Sequence, residues 1–147
     1  MRIAVGSDHA GYEAPGPAYK PEIMKRLEEL GHEVVDCGTW GPESVDYPDI
    51  AQKVCDTILR GNADCGVLVC GTGIGMSIAA NRNKGIRAAA CATPDMAMLA
   101  RGHNNANLLC LGRRILPLQQ CLQMLEVFLD TPFNEGERHQ RRVAKMG

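Results

Sequence analysis

Five short apolar runs, each closed by glycine or a polar residue, constrain this chain more than any other feature. They are Ile3–Ser7, Glu33–Cys37, Gly66–Cys70, Arg87–Cys91 and Asn107–Leu111. Each is apolar at nearly every position and not at alternate ones, as expected of a strand covered on both faces of a parallel sheet. Between the runs the pattern changes to a helical period. Ile23, Leu27 and Leu30 fall at i, i+4 and i+7 and stop at Gly31. Ile50, Val54 and Ile58 repeat every four residues and stop at Gly61, and Leu118, Leu122, Leu125 and Leu129 do so ahead of Pro132. Thr93-Pro94-Asp95 reads as a further helix start with Thr93 as the cap. Strands alternating with helices predict an α/β domain in three layers, α/β/α, with a five-stranded parallel sheet and right-handed crossovers. The 147 residues fit one domain, 1–147.

Charge excludes several partners. Sixteen Lys and Arg against seventeen Asp and Glu leave a net charge of −1, so there is no global attraction to nucleic acid or to an anionic membrane. Any anion site must be local. The longest uncharged stretch, Cys65 to Asn81, is too short and too broken by glycine to span a bilayer, and Met1 to Asp8 does not read as a signal peptide. Seven cysteines cannot all pair within the chain and contain no C-x-x-C, which predicts a reduced, cytoplasmic protein without a zinc motif.

Ligands of open parallel sheets bind beyond the carboxyl ends of the strands, so those positions carry the functional reading. After the first strand stands Ser7-Asp8-His9-Ala10-Gly11. Asp8 and His9 can hydrogen-bond a polyol; alternatively Asp8 caps a helix and His9 is solvated. After the third stands Cys70-Gly71-Thr72-Gly73-Ile74-Gly75. Glycines let the backbone approach a ligand closely, and the following helix start, near Gly75, aims free N–H groups at it. Such a loop stabilises a phosphate or a developing oxyanion, and its field would favour the Cys70 thiolate. The spacing is not that of a dinucleotide fingerprint, since Met76 takes the place of the third glycine, and no Gly-Lys-Ser/Thr marks a P-loop. His103 and Asn104 lie in an Asn-rich loop after the fourth helix. Arg114 follows the fifth strand. Arg138 and Arg142 share one face of a basic, helical tail over Glu137–Lys145, suited either to clamping a phosphate or to facing solvent.

Taken in order, Ser7-Asp8-His9-Ala10-Gly11, Asp46-Tyr47-Pro48, Cys70 to Gly75, Ala79-Ala80-Asn81, Gly85-Ile86-Arg87-Ala88, His103-Asn104, Asn107, Leu111-Gly112 and Arg138-His139-Gln140 resemble type B ribose-5-phosphate isomerase. That group stands within the bacterial sugar-phosphate isomerases that include galactose-6-phosphate isomerase. The resemblance implies a Rossmann-like sheet, an aldose–ketose isomerisation through an enediolate, and no metal or cofactor. It implies a homodimer or homotetramer with active sites shared between subunits, the C-terminal helix contributing to the contacts. By residue, it implies Cys70 as base, Thr72 and the amides of Gly71, Gly73, Ile74 and Gly75 as the anion hole, and His103 as ring-opener. Asp8, His9, Tyr47 and Asn104 match sugar contacts, and Arg114, Arg138 and Arg142 match phosphate contacts. Some members use a glutamate as base where Met76 stands, so this chain resembles the cysteine class. The Pro/Gly-rich insertion Glu13–Pro17 departs from the pattern directly after Asp8-His9. It leaves allose 6-phosphate, galactose 6-phosphate or a tetrulose phosphate open beside ribose 5-phosphate. The rival from another class is a non-catalytic sugar-phosphate sensor on the same fold, which would keep the arginines and the glycine loop but lose the base or His103; both are present.

Overall fold

The computed structural model describes residues 1–147. Strands β1 (Arg2–Ser7), β2 (Glu33–Asp36), β3 (Cys65–Cys70), β4 (Ala88–Ala90) and β5 (Leu108–Gly112) form one sheet in the order β2-β1-β3-β5-β4, parallel throughout. All five apolar runs are strands, with ends displaced by a residue or two. The fourth run is trimmed most, because β4 lies at the sheet edge and pairs on one side only.

Helices α1 (Tyr19–Glu29), α2 (Tyr47–Leu59), α3 (Ile74–Ala80), α4 (Pro94–Asn104), α5 (Leu118–Asp130) and α6 (Glu137–Met146) complete the fold. Alternate strand residues divide two cores. Ile3, Val5, Val67, Val69, Leu109 and Leu111 pack with residues of α1, α4 and α5 on one face. Ala4, Leu68, Leu108 and Cys110 pack with residues of α2 and α3 on the other. The three layers follow from strands that are apolar on both faces. Helix α1 ends where expected, at Gly31 with φ +87°, but Leu30 sits in the cap and is exposed, so only Ile23 and Leu27 of its apolar stripe are buried. Thr93 caps α4, its hydroxyl accepting the Met96 amide at 3.2 Å. His103 and Asn104 belong to the last turn of that helix and not to a loop, because the left-handed cap falls at Asn105, φ 49°.

Candidate active site

The order β2-β1-β3 reverses direction between β1 and β3. The first crossover runs outward to β2 and the next two run the opposite way, to β3 and β4, which opens a crevice at the carboxyl ends of β1 and β3. Asp8 closes β1 and Cys70 closes β3, and the Asp8 amide donates to Val69 O at 3.1 Å, so the two termini are in contact. Asp8 Oδ1 accepts from the Ala10 amide at 2.9 Å, capping a single 3-10 turn over His9–Tyr12. The capping reading of Asp8 therefore holds, and its second carboxylate oxygen is left for other work. His9 Nδ1 accepts from the Val45 amide at 3.3 Å, which places the neutral ring's proton on Nε2.

The glycine loop is built around sulfur. Gly73 has φ +82°, a conformation that favours glycine, and its amide donates to Cys70 Sγ at 3.1 Å. The Ile74 amide donates to Thr72 Oγ1 at 3.2 Å. Two of the four amides expected to form the anion hole, those of Gly73 and Ile74, are thus engaged within the loop. The amides of Gly71, Thr72 and Gly75 donate to no protein acceptor and remain available; that of Met76 is also without a partner, but the residue is fully buried. Helix α3 has only seven residues, so these local N–H groups, and not a long macrodipole, supply the positive field. Cys70 itself is only 3% exposed in the single chain.

Side chains from three other elements converge on the loop. The Tyr47 ring, on the first turn of α2, packs against Gly75 so tightly that a Cβ there would lie 2.7 Å from it. The Arg113 and Arg114 amides donate to Cys70 O and Gly71 O, both at 2.9 Å, which binds the end of β5 to the loop. A Cβ on Gly71 would lie 3.1 Å from Arg114 Nη1, and one on Gly112 would lie 2.6 Å from Thr72 O. The insertion Glu13–Pro17 folds back over this edge. Arg113 Nη2 donates to Glu13 O at 3.2 Å and Pro15 O at 2.8 Å, and Arg114 pairs with the Glu13 carboxylate.

The remaining candidates form a second cluster elsewhere. The His103 ring stacks on His139 of α6, with centroids 4.4 Å apart and planes 17° from parallel. Arg138 Nε donates to His139 Nε2 at 3.4 Å. Desolvation, and then the charges of His103, Arg138 and Arg142, hold the His139 imidazole below the ordinary histidine range. Helix α4 runs antiparallel to the strands it connects, so its last residues lie at the amino edge of the sheet, just ahead of β5; Arg114 lies just beyond the far end of β5. Five strand residues rise on the order of 15 Å. Within one chain, Cys70, Thr72, Asp8, His9, Tyr47 and Arg114 share one edge, and His103, Asn104, Arg138 and Arg142 do not join them.

Neither of the cavities nearest these clusters includes Cys70. A cavity of about 710 Å³ lies along the β4 edge, lined by Asn81 to Ala89, Asn104 and the chain end, without Cys70 or His103. A smaller one, about 390 Å³, includes Tyr47 and Gly75 but not Cys70. No group of three or more His, Cys, Asp and Glu side chains is placed to hold a metal ion.

Comparison with known proteins resolves what this divided arrangement belongs to. Residues 3–146 match the model of the family described as Ribose/Galactose Isomerase. The chain belongs to the ribose/galactose isomerase family. Ribose-5-phosphate isomerase B of Escherichia coli is 44% identical over 142 residues, 97% of this chain and 91% of the relative. The crystal structure of a ribose 5-phosphate isomerase from Thermotoga maritima is 52% identical with a TM-score of 0.92, covering 99% of this chain and 96% of the other. Ribose-5-phosphate isomerase B of Clostridium thermocellum is 47% identical with a TM-score of 0.94, covering 100% and 95%. The α/β sheet expected from the apolar runs is thus the isomerase family's own, and this chain is an isomerase of that family.

Sequence reasoning assigned no role to His139 or Glu13. His139 sits beside Arg138 on the amphipathic tail helix, but nothing in that pattern says it stacks on a residue of α4. Glu13 and Arg114 are 101 positions apart, and no local signal links them.

Proposed function

We propose that this sugar-phosphate isomerase interconverts ribose 5-phosphate and ribulose 5-phosphate, with Cys70 as the base. The observation that carries this reading is the Gly73 amide donated to the Cys70 sulfur, in a loop with three uncommitted, solvent-reachable amides at the β1/β3 crevice. An N–H aimed at sulfur is the partner a thiolate takes. In the open-chain aldose the thiolate removes the proton on C2. The C1 carbonyl oxygen becomes an oxyanion, held by the free amides and Thr72, and an enediolate forms. Delivery of that proton to C1, with transfer of the O2 hydroxyl proton to the O1 oxyanion and restoration of a carbonyl at C2, gives the ketose. His103 opens the furanose by protonating the ring oxygen as the anomeric hydroxyl loses its proton. Asp8, His9, Tyr47 and Asn104 hold sugar hydroxyls. Arg114, Arg138 and Arg142 hold the phosphate, whose binding positions the reacting carbons.

His103 and the tail arginines reach Cys70 from a second copy of the chain. Two facts support this. The two clusters stand at opposite ends of the strands, and Ile74 and Ile78 on α3 with Met96 and Leu99 on α4 are large apolar side chains left uncovered. A two-fold contact would place the amino-edge cluster of each copy over the glycine loop of the other. The seven cysteines are all free, in keeping with a cytoplasmic enzyme.

The deciding experiment follows the reaction in D₂O with ribose 5-phosphate. The wild type forms ribulose 5-phosphate and exchanges label at the carbon that changes. Cys70→Ala retains sugar-phosphate affinity, by titration, and loses turnover. Turnover near the wild-type value in that variant contradicts the thiol's role. The folded-back insertion beside the glycine loop favours one further reading, the same chemistry on a four- or six-carbon phosphate. A panel of four-, five- and six-carbon phosphates separates the two, and binding without turnover on every one would indicate a sensor.

A further inference from the structure

We propose that Glu13 is a built-in competitor for the phosphate site, a carboxylate that occupies Arg114 until a phosphate monoester displaces it. This rests on the reading of Arg114 as a phosphate ligand. Arg114 Nε lies 3.1 Å from both Glu13 carboxylate oxygens and Nη2 lies 2.6 Å from Oε1. The Nε/Nη2 edge of the guanidinium is therefore filled by the planar anion that its geometry fits best. Nη1, the remaining donor group, lies against Gly71. A phosphate arriving over the glycine loop meets a guanidinium whose outward edge is taken.

The backbone carrying Glu13 is fixed while the side chain can turn. Arg113 Nη2 holds Glu13 O and Pro15 O, and its guanidinium lies 4.5 Å from the centroid of the Tyr19 ring. Tyr19 in turn donates to Leu116 O at 2.6 Å. The Glu13 side chain is 31% exposed and that of Arg114 58%, so the pair lies at the rim and a side-chain rotation suffices to break it. Held this way, the carboxylate stays at high local concentration beside Arg114. Its displacement costs every incoming phosphate the same free energy, whatever sugar is attached. Glu13 thereby weakens substrate and product alike and speeds release of both. Arg113 and the insertion act as the mount that keeps it there.

The test compares Glu13→Gln, Arg114→Ala and the double variant, with ribose 5-phosphate as substrate and inorganic phosphate as inhibitor. In Glu13→Gln the KM and the inhibition constant for phosphate fall together, by about two- to fivefold, with no matching change in kcat. Arg114→Ala raises both constants, and adding Glu13→Gln to it changes neither, because the competed donor is gone. Glu13→Ala, checked with the others for an unchanged unfolding temperature, must behave as Glu13→Gln does. Unchanged or raised constants in the Glu13 variants, while Arg114→Ala still weakens phosphate, overturn the competitor and spare the phosphate site. Constants unaltered by Arg114→Ala overturn both.

Discussion

Cys70 differs from the other cysteines in what its sulfur is offered. Burial pushes Cys55, Cys65 and Cys91 up to about 11 and Cys121 to about 12, so each remains a thiol near neutral pH. Cys55 and Cys37 point their S–H groups at the carbonyls of Ala80 and Val35, whereas the Cys70 sulfur accepts an N–H. Their shared residue type hides opposite hydrogen-bonding roles, and only the glycine loop beside Cys70 made the distinction legible in sequence. Cys70→Ala is expected to lower kcat by about 10²–10⁴-fold, the range for losing a positioned base, when ribulose 5-phosphate formation is measured under saturating substrate. A loss under tenfold would contradict the assignment. His103→Ala should depress turnover of ribose 5-phosphate more than that of an analogue unable to close a ring. Equal losses, read from kcat/KM on both substrates, would remove the ring-opening role.

At the scale of elements, α6 is tied to α4 through one pair of imidazoles. His139 is buried, accepts from Arg138 and stacks on His103, so it serves the fold as a neutral ring. Its pKa is held down in the folded chain and returns to about 6.5 on unfolding. The unfolded state therefore binds more protons in the window below that value. The stability α6 gains from His139 is present above it and is lost as pH falls through it toward the depressed folded value. Unfolding temperature measured from about pH 8 to about pH 5 is expected to fall more gently in His139→Asn than in the wild type. Identical slopes would show that the stack is not the titrating contact. The sequence made these helices legible where an apolar period met a glycine stop, as at Gly31 and Gly61. It failed at the end of α4, where Asn104 looked like loop. The docking of a polar tail helix through His139 left no periodic apolar signal to read.

At the scale of the whole molecule, the sheet was readable because strands apolar on every position admit few architectures. Their order was not, since β5 inserts between β3 and β4 and no local pattern encodes that. One consequence was available all the same. A helix following a parallel strand must end at the amino edge, so His103 could not share an edge with Cys70 in one chain. The separation of the two candidate clusters and the uncovered apolar side chains of α3 and α4 are what the proposed second copy accounts for. Mixing two inactive variants, Cys70→Ala and His103→Ala, after joint unfolding and refolding measures this directly. If each site draws Cys70 from one chain and His103 from another, random pairing makes half the dimers mixed, each with one intact site, and about a quarter of wild-type activity returns. If both residues serve the same chain's site, no mixture contains an intact one, and activity stays at the level of the separate variants.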